Sequence, residues 1–332
     1  MAQADLNAPE FTQLVDLASE RVGGSVPAAN DDFFAPKESL IKAAVPVWME
    51  GKFTDRGKWM DGWETRRRRE PGHDWCIVQL GLPGVIRGVN IDTAFFRGNQ
   101  PEACIIEAAE LEGDVTEFGL TGPKAPWVEV VPRTKLNPGT EHLVAVASER
   151  RWTHVRLNIF PDGGVARLRV YGEVRPDWER IGGAEVDLAA VEHGGLVIVA
   201  NDMHFGSRHN LIMPGRAANM GDGWETRRRR GPGYDWCIVR LGRRGVVRKI
   251  EVDTNHFKGN FPESCMIEAC DAGAADFDPA NQEWWELLGR TKLKADTRHF
   301  LEVEGGRPCT HVRLNIYPDG GVSRLRVHGV VA

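Results

Sequence analysis

Alternation of apolar and polar positions is the strongest periodic signal in this chain. In His154-Val155-Arg156-Leu157-Asn158-Ile159 the apolar residues fall on one side of an extended strand, with His154, Arg156 and Asn158 on the other. The turn Pro161-Asp162-Gly163-Gly164 follows, then Ala166-Arg167-Leu168-Arg169-Val170 alternates again and extends the same polar face. The whole pattern returns from His311 to Val327. Upstream, a strand from Cys76 to Leu80 ends at Gly81, and a second alternates from Val85 to Ile91. The apolar stretch Ala103 to Ala109 reads as a buried strand, although periodicity alone does not separate it from a short helix. The one strong helical candidate is Phe11 to Arg21. Short period-two segments and frequent Gly/Pro turns predict an all-β protein built of antiparallel sandwiches.

The pattern returns because the chain is duplicated. DGWETRRRR occurs at Asp61–Arg69 and again at Asp222–Arg230, and each copy leads into the strand Asp-Trp-Cys-Ile-Val at Asp74 and Asp235. Matches begin earlier, from Val15-Asp16-Leu17-Ala18 and Val186-Asp187-Leu188-Ala189, with Asn30-Asp31 answered by Asn201-Asp202. The offset is 171 there, 161 from the arginine motif onward and 157 after Arg133, so the first copy carries ten and then four extra residues in its connections. The expected domains are residues 1–174 and 175–332, with the linker at Glu173–Asp177.

Composition narrows the class. A chain of 332 residues holds about two ordinary domains, and 42% hydrophobic with 27% charged residues is typical of a soluble globular protein. A net charge of −5 argues against a nucleic-acid partner, including RNA binding through the two arginine runs. No apolar run is long enough for a membrane helix, and Met1 to Glu10 lacks the features of a signal peptide. None of the six cysteines forms a C-x-x-C pair, which predicts reduced, buried thiols in a cytoplasmic protein. No metal motif is present and no cofactor is identified; carboxylates from distant loops could still hold a divalent cation.

The Asp-Gly turn, the Asp-Trp strand and the closing Val170-Tyr171-Gly172 resemble the galactose-binding-like jelly roll. A more specific resemblance is to the allantoicase family. It rests on Asn30-Asp31-Asp32-Phe33-Phe34-Ala35-Pro36, on DGWETRRRR and on Arg156-Leu157-Asn158-Ile159-Phe160-Pro161-Asp162-Gly163-Gly164, and it covers nearly the whole chain in both copies. The resemblance implies two tandem jelly-roll β-sandwiches, hydrolysis of allantoate to ureidoglycolate and urea, and a homo-oligomer.

That substrate carries a carboxylate and two ureido groups on one carbon. A site for it needs a cation for the carboxylate, amide partners for the ureas, and acid/base groups. Arginine suits the first task because its planar fork binds a carboxylate bidentately. Strand alternation would put Arg66 and Arg68 on one face and Arg67 and Arg69 on the other, so the candidate substrate-binding arginines are Arg66, Arg68, Arg227 and Arg229. Glu64, Asp74, Glu225 and Asp235 are candidate acid/base groups; an ion pair with a neighbouring arginine is the plainer reading of the glutamates, and backbone bonding at a strand start would explain the aspartates equally. Asp61 and Asp222 precede glycine and read as turn makers. The row His154, Arg156, Asn158 and its copy His311, Arg313, Asn315 combines proton carrier, cation and amide on one strand face; the alternative is a face packed against another domain or subunit. Asn99 and Asn260 lie in loops that could overhang the pocket. Among the other histidines, His142 and His299 occur in both copies, whereas His73, His204, His209 and His256 occur in one. The competing function is a non-catalytic tandem sandwich that binds a sugar or a small anion, since fold alone does not fix function.

Overall fold

The computed structural model describes residues 8–111, 113, 117–273, 277–304 and 306–332, and β-strands make up most of its regular structure. The chain divides into two units, Asn7–Arg175 and Pro176–Ala332.

In the first unit the strands are β1 (Val15–Asp16), β2 (Ser25–Ala29), β3 (Phe53–Thr54), β4 (Gly57–Lys58), β5 (Trp63–Glu64), β6 (Asp74–Asp92), β7 (Ala103–Ala109), β8 (Val128–Lys135), β9 (Glu141–Ala145), β10 (Arg151–Phe160), β11 (Gly164–Val165) and β12 (Arg167–Val174). All pairings are antiparallel. The organising element is β6, which continues through Gly81 where the sequence pattern predicts a break. Its first half pairs with β10 and β2, and its second half with β12 and β9. The strand therefore leaves one layer, β2-β6-β10-β7-β8, and enters the other, β9-β6-β12-β1. Side chains between the layers form the core: Val155, Leu157 and Ile159 from β10 and Leu168 and Val170 from β12 are fully buried. Ala103–Ala109 is a strand, pairing with β10 and β8.

The second unit repeats this plan with β13 (Val186–Asp187), β14 (Leu196–Ala200), β15 (Trp224–Glu225), β16 (Asp235–Asp253), β17 (Ser264–Cys270), β18 (Trp285–Lys292), β19 (Arg298–Glu302), β20 (Cys309–Tyr317), β21 (Gly321–Val322) and β22 (Arg324–Val331). The hairpin β3–β4 has no counterpart there, because it is made by the ten extra residues of the first copy. The six cysteines are buried and free.

Two local expectations fail. Residues 11–21 are not a helix: short 3-10 turns at Glu10–Gln13 and Glu20–Val22 flank β1. Tertiary pairing overrides the helical pattern, since Val15 and Asp16 pair with Gly172 and Tyr171 and the Asp16 carboxylate accepts the amides of Ala18 and Val170. Arg167 and Arg169 do not extend the face of His154, Arg156 and Asn158. They lie on β12, opposite Asp92 and Asn90 in the second half of β6, and so belong to the other layer.

Candidate functional site

The motif DGWETRRRR divides its work between structure and surface. Only Trp63 and Glu64 are in a strand, β5, which pairs with β11 just after the Pro-Asp-Gly-Gly turn. Trp63 is fully buried and its indole N–H donates to the Asp31 carbonyl at 2.8 Å. Asp61 is also structural. Its carboxylate accepts from the buried Arg167 guanidinium at 2.7 Å, from Lys42 at 3.3 Å and from the Val47 amide at 3.0 Å. Burial opposes its ionisation, but these donors outweigh burial and hold its pKa below the ordinary value. Asp222 meets Arg324 in the same way at 2.9 Å. Both aspartates thus anchor a buried arginine, a stronger role than turn making alone.

The arginines themselves form a loop, not a strand, so simple alternation does not place them. Two are tethered. The Arg66 Nε donates to Asp31 Oδ2 at 2.6 Å and its amide to Asp31 Oδ1 at 3.0 Å, while Arg68 donates to Asp74 Oδ1 at 2.7 Å. The Arg68 amide is held by Asp162 Oδ2 at 2.9 Å, tying the loop to the Pro-Asp-Gly-Gly turn. Burial works against ionisation of Asp31, yet the amides of Phe33 and Arg66 and the Arg66 guanidinium keep its pKa low. Arg67 and Arg69 are exposed and, among the described residues, have no carboxylate partner.

These side chains line a shallow cleft of 530 Å³ with Asn30, Glu70 and Asp74. At its base Asn30 bridges, donating to Asp74 Oδ1 at 2.9 Å and accepting the Trp75 amide at 2.7 Å. Asp74 Oδ2 and Arg68 Nε are buried without a hydrogen-bond partner. The second repeat rebuilds the framework: Arg227 is held by Asp202, Arg229 pairs with Asp235, and Asn201 reaches Asp235 at 3.0 Å. It differs at the rim, where Gly231 replaces Glu70 and Tyr234 replaces His73.

Glu64 has no arginine partner; its Oε1 accepts from Asn99 Nδ2 at 2.7 Å. The loop brings Asn99 there because Gly163 has φ +135° and a Cβ on it would lie 2.7 Å from the Asn99 carbonyl. Burial pushes the Glu64 pKa up, and the Asn99 bond offsets this only in part. Glu225 and Asn260 make the same pair.

The strand-face row is a separate cluster beneath its own repeat's covering segment. His154 and Asn158 are 4% exposed, and Leu120, Leu111 and Trp127 pack over the adjoining Ile77. Arg156 is ion-paired with Glu107 at 2.7 Å and lies under the Trp127 ring at 4.8 Å. Asn158 donates to the same Glu107 oxygen at 2.7 Å, and its Oδ1 faces His73 Nε2 at 3.2 Å. Arg313, Asn315, Glu268 and Trp284 repeat this, although with Tyr234 in place of His73 the Asn315 Oδ1 is buried without a partner. Burial lowers the His154 pKa and, with Arg240 nearby, takes His311 to about 4. His142 on β9 bridges the Asn137 amide and the Ile91 carbonyl of β6, and His299 on β19 bridges the Lys294 amide and the Val252 carbonyl of β16. Burial also takes His209 to about 4.

The structure therefore joins Glu64 to Asn99, Arg68 to Asp74, and Arg156 to Asn158, as three clusters. Sequence reasoning missed Asp31, Asn30, Asp162 and Glu107. Asn30-Asp31 had one signal, its match to Asn201-Asp202; Glu107 had another, a lone acid in an apolar strand repeated as Glu268. No group of three or more His, Cys, Asp or Glu among the described residues is arranged to hold a metal ion. No described helix is long and apolar enough to cross a membrane.

Comparison with known proteins is consistent across the length of the chain. Residues 15–175 and 186–332 each match the family model of the allantoicase repeat. A probable allantoicase 1 from Burkholderia mallei is 52% identical, over 99% of this chain and 98% of its own. The allantoicase of Dictyostelium discoideum is 48% identical over 98% and 89%. The crystal structure of allantoicase from Saccharomyces cerevisiae superposes with a TM-score of 0.82 at 39% identity, covering 96% of each chain.

Proposed function

The chain belongs to the allantoicase family, and we propose that its reaction, hydrolysis of allantoate to ureidoglycolate and urea, takes place in the arginine cleft each repeat builds. The observation that carries this placement is the unpaired state of Arg67 and Arg69 beside two arginines that are already neutralised. A small anion with one carboxylate would gain little from Arg66 and Arg68, whose charges Asp31 and Asp74 meet. Arg67 and Arg69 can offer their full fork to the substrate carboxylate.

Expelling urea needs a proton on the leaving nitrogen and water at the central carbon. The lone pair of the remaining ureido nitrogen helps break the C–N bond, and water then adds to the imine-like carbon while losing a proton. Asp74 lines the cleft with one carboxylate oxygen free of hydrogen bonds, and we assign it to accept that proton. Glu64 lies on β5 two residues before Arg66, outside the residues that line the cleft, and we assign it as proton donor to the departing urea because burial raises its pKa and Asn99 fixes its orientation. Asp235, Glu225 and Asn260 would act likewise in the second repeat. Arg156, Asn158, Arg313 and Asn315 instead brace the sheet beneath its covering segment, with their donors turned to Glu107 and Glu268.

A cytoplasmic location is supported by six free, buried thiols; the homo-oligomer is our expectation for size-exclusion chromatography with light scattering. The reaction is tested by incubating purified protein with allantoate, with and without a chelator. Urea and ureidoglycolate should appear in equal amounts and neither should form from allantoin. Absence of urea from well-folded protein would favour a non-catalytic anion-binding sandwich. Arg67→Ala and Arg228→Ala, made separately, report whether both repeats turn over.

A further inference from the structure

The two repeats differ on the outward face of the layer that contains β12 or β22. In the first repeat, Gly88, Asn90 and Asp92 of β6 and Arg169 and Tyr171 of β12 share this face. Phe11 closes it: a Cβ on Gly88 would meet the Phe11 ring at 2.4 Å, and that ring lies 6.0 Å from Tyr171. The position of Phe11 is taken in the second repeat by Gly182, and Tyr171 is replaced by His328. Gly88 is replaced by Lys249, whose Nζ lies 5.0 Å from the Phe300 ring, and over the rest of the face, at Glu251, Asp253, Arg324, Arg326 and His328, lies a cavity of 440 Å³. This is large enough for a small organic ligand.

The wall of this cavity has unmet hydrogen-bonding capacity of both signs. Glu192 Oε2 and Asp187 Oδ2 are buried without a hydrogen bond, the nearest cation to the latter being Arg326 at 3.6 Å. Asp187 Oδ1 is occupied by the amides of Ala189 and Val327, so the carboxylate is fixed in place. On the other side Arg216 is half exposed, and its one described partner is Asp253 at 3.5 Å. The other rim arginine, Arg298, is already bound to both oxygens of Glu251 at 2.7 and 2.9 Å. Glu192 Oε2 has no donor, Asp187 Oδ2 has only the long ion pair with Arg326, and Arg216, paired with Asp253 through Nε, keeps its two terminal nitrogens without a described partner. Glu192 replaces Arg21 of the first repeat, so the donor-seeking half is particular to the second.

We infer that this cavity is a second small-molecule site, distinct from the arginine clefts, for a ligand that carries both a carboxylate and N–H donors: an amino acid or a ureido acid. The carboxylate sits at Arg216 and the N–H groups at Glu192 and Asp187. A simple anion would leave Glu192 Oε2 without a donor, and a simple cation would leave the terminal nitrogens of Arg216 without an acceptor.

Glycine and N-carbamoylglycine are the probes, titrated calorimetrically into the full chain carrying Arg67→Ala and Arg228→Ala to weaken the clefts. One of them should bind with one site per chain; glycine identifies an amine donor and N-carbamoylglycine a ureido donor. Adding Glu192→Ala, or separately Arg216→Ala on the half-exposed rim, should weaken binding by about tenfold or more in protein that thermal unfolding shows to be folded at the titration temperature. Writing the first repeat's residues into the second, as Glu192→Arg with His328→Tyr, should abolish it. The inference is overturned if neither probe binds. It is equally overturned if binding survives these changes intact, or is seen only when the arginine clefts are unmutated.

Discussion

Replacing Arg67 and Arg66 by alanine, one at a time, separates substrate binding from loop architecture within two adjacent residues. Arg66 is tethered to Asp31 at 2.6 Å, but its side chain is 64% exposed. An exposed pair of this kind contributes about 0.2–1 kcal/mol, and Asp31 keeps its bonds to the amides of residues 33 and 66 in the variant. Arg66→Ala should therefore lower the melting temperature by no more than about 4 °C for a unit of this size and leave kcat/KM within a few-fold. Arg67 has no partner to lose, so its removal should leave the melting temperature unchanged. If it takes the allantoate carboxylate, the lost charge-assisted contact is worth about 1.5–3 kcal/mol, or roughly 10- to 150-fold in kcat/KM, expressed mainly in KM. The assay is initial-rate urea release across a range of allantoate concentrations, paired with thermal unfolding. If both repeats turn over, the change should be read in the Arg67→Ala/Arg228→Ala protein against Arg66→Ala/Arg227→Ala. Wild-type kinetics in the first double variant together with a large loss in the second would refute the assignment, because the tethered arginines would then be the ones that bind.

Three further outcomes follow from the same geometry. Asp61→Asn strands the fully buried Arg167 guanidinium and should destabilise the first repeat by about 3–5 kcal/mol, measured by chemical denaturation. Glu64 has a folded pKa above its ordinary value, so its contribution to stability is present in acid and is lost as pH rises through the folded pKa. Glu64→Gln should accordingly raise the melting temperature at pH 7 relative to wild type, with the gain vanishing near pH 4, while slowing urea release; a gain equal at both pH values would contradict the buried-acid account. His73→Tyr copies the second repeat and leaves Asn158 Oδ1 as unpartnered as Asn315 Oδ1 is, at a cost of about 1 kcal/mol in thermal or denaturant unfolding.

The amino-acid sequence by itself determined the duplication, the strands with two-residue period and the all-β class, because these are local or self-referential signals. Alternation in residues 154–159 and its copy needs no knowledge of partners, and the turn at Pro161–Gly164 is written in residues with the required backbone preferences. The motif DGWETRRRR marked where the candidate site lies for the same reason. Tertiary structure decided what each of its residues does. Asp31 lies 35 positions from Arg66, and only the fold brings the two together and leaves Arg67 and Arg69 unpaired. The row His154, Arg156, Asn158 has the alternation of an open face, yet a segment of its own repeat covers it and Glu107 takes its donors. Residues 11–21 have a helical pattern, yet strand pairing with β12 prevails. A one-dimensional pattern fixes which side of an element a residue occupies; which partner waits there depends on register and on connections tens of residues away, and hydrogen-bond and ion-pair energies are set only when those partners meet.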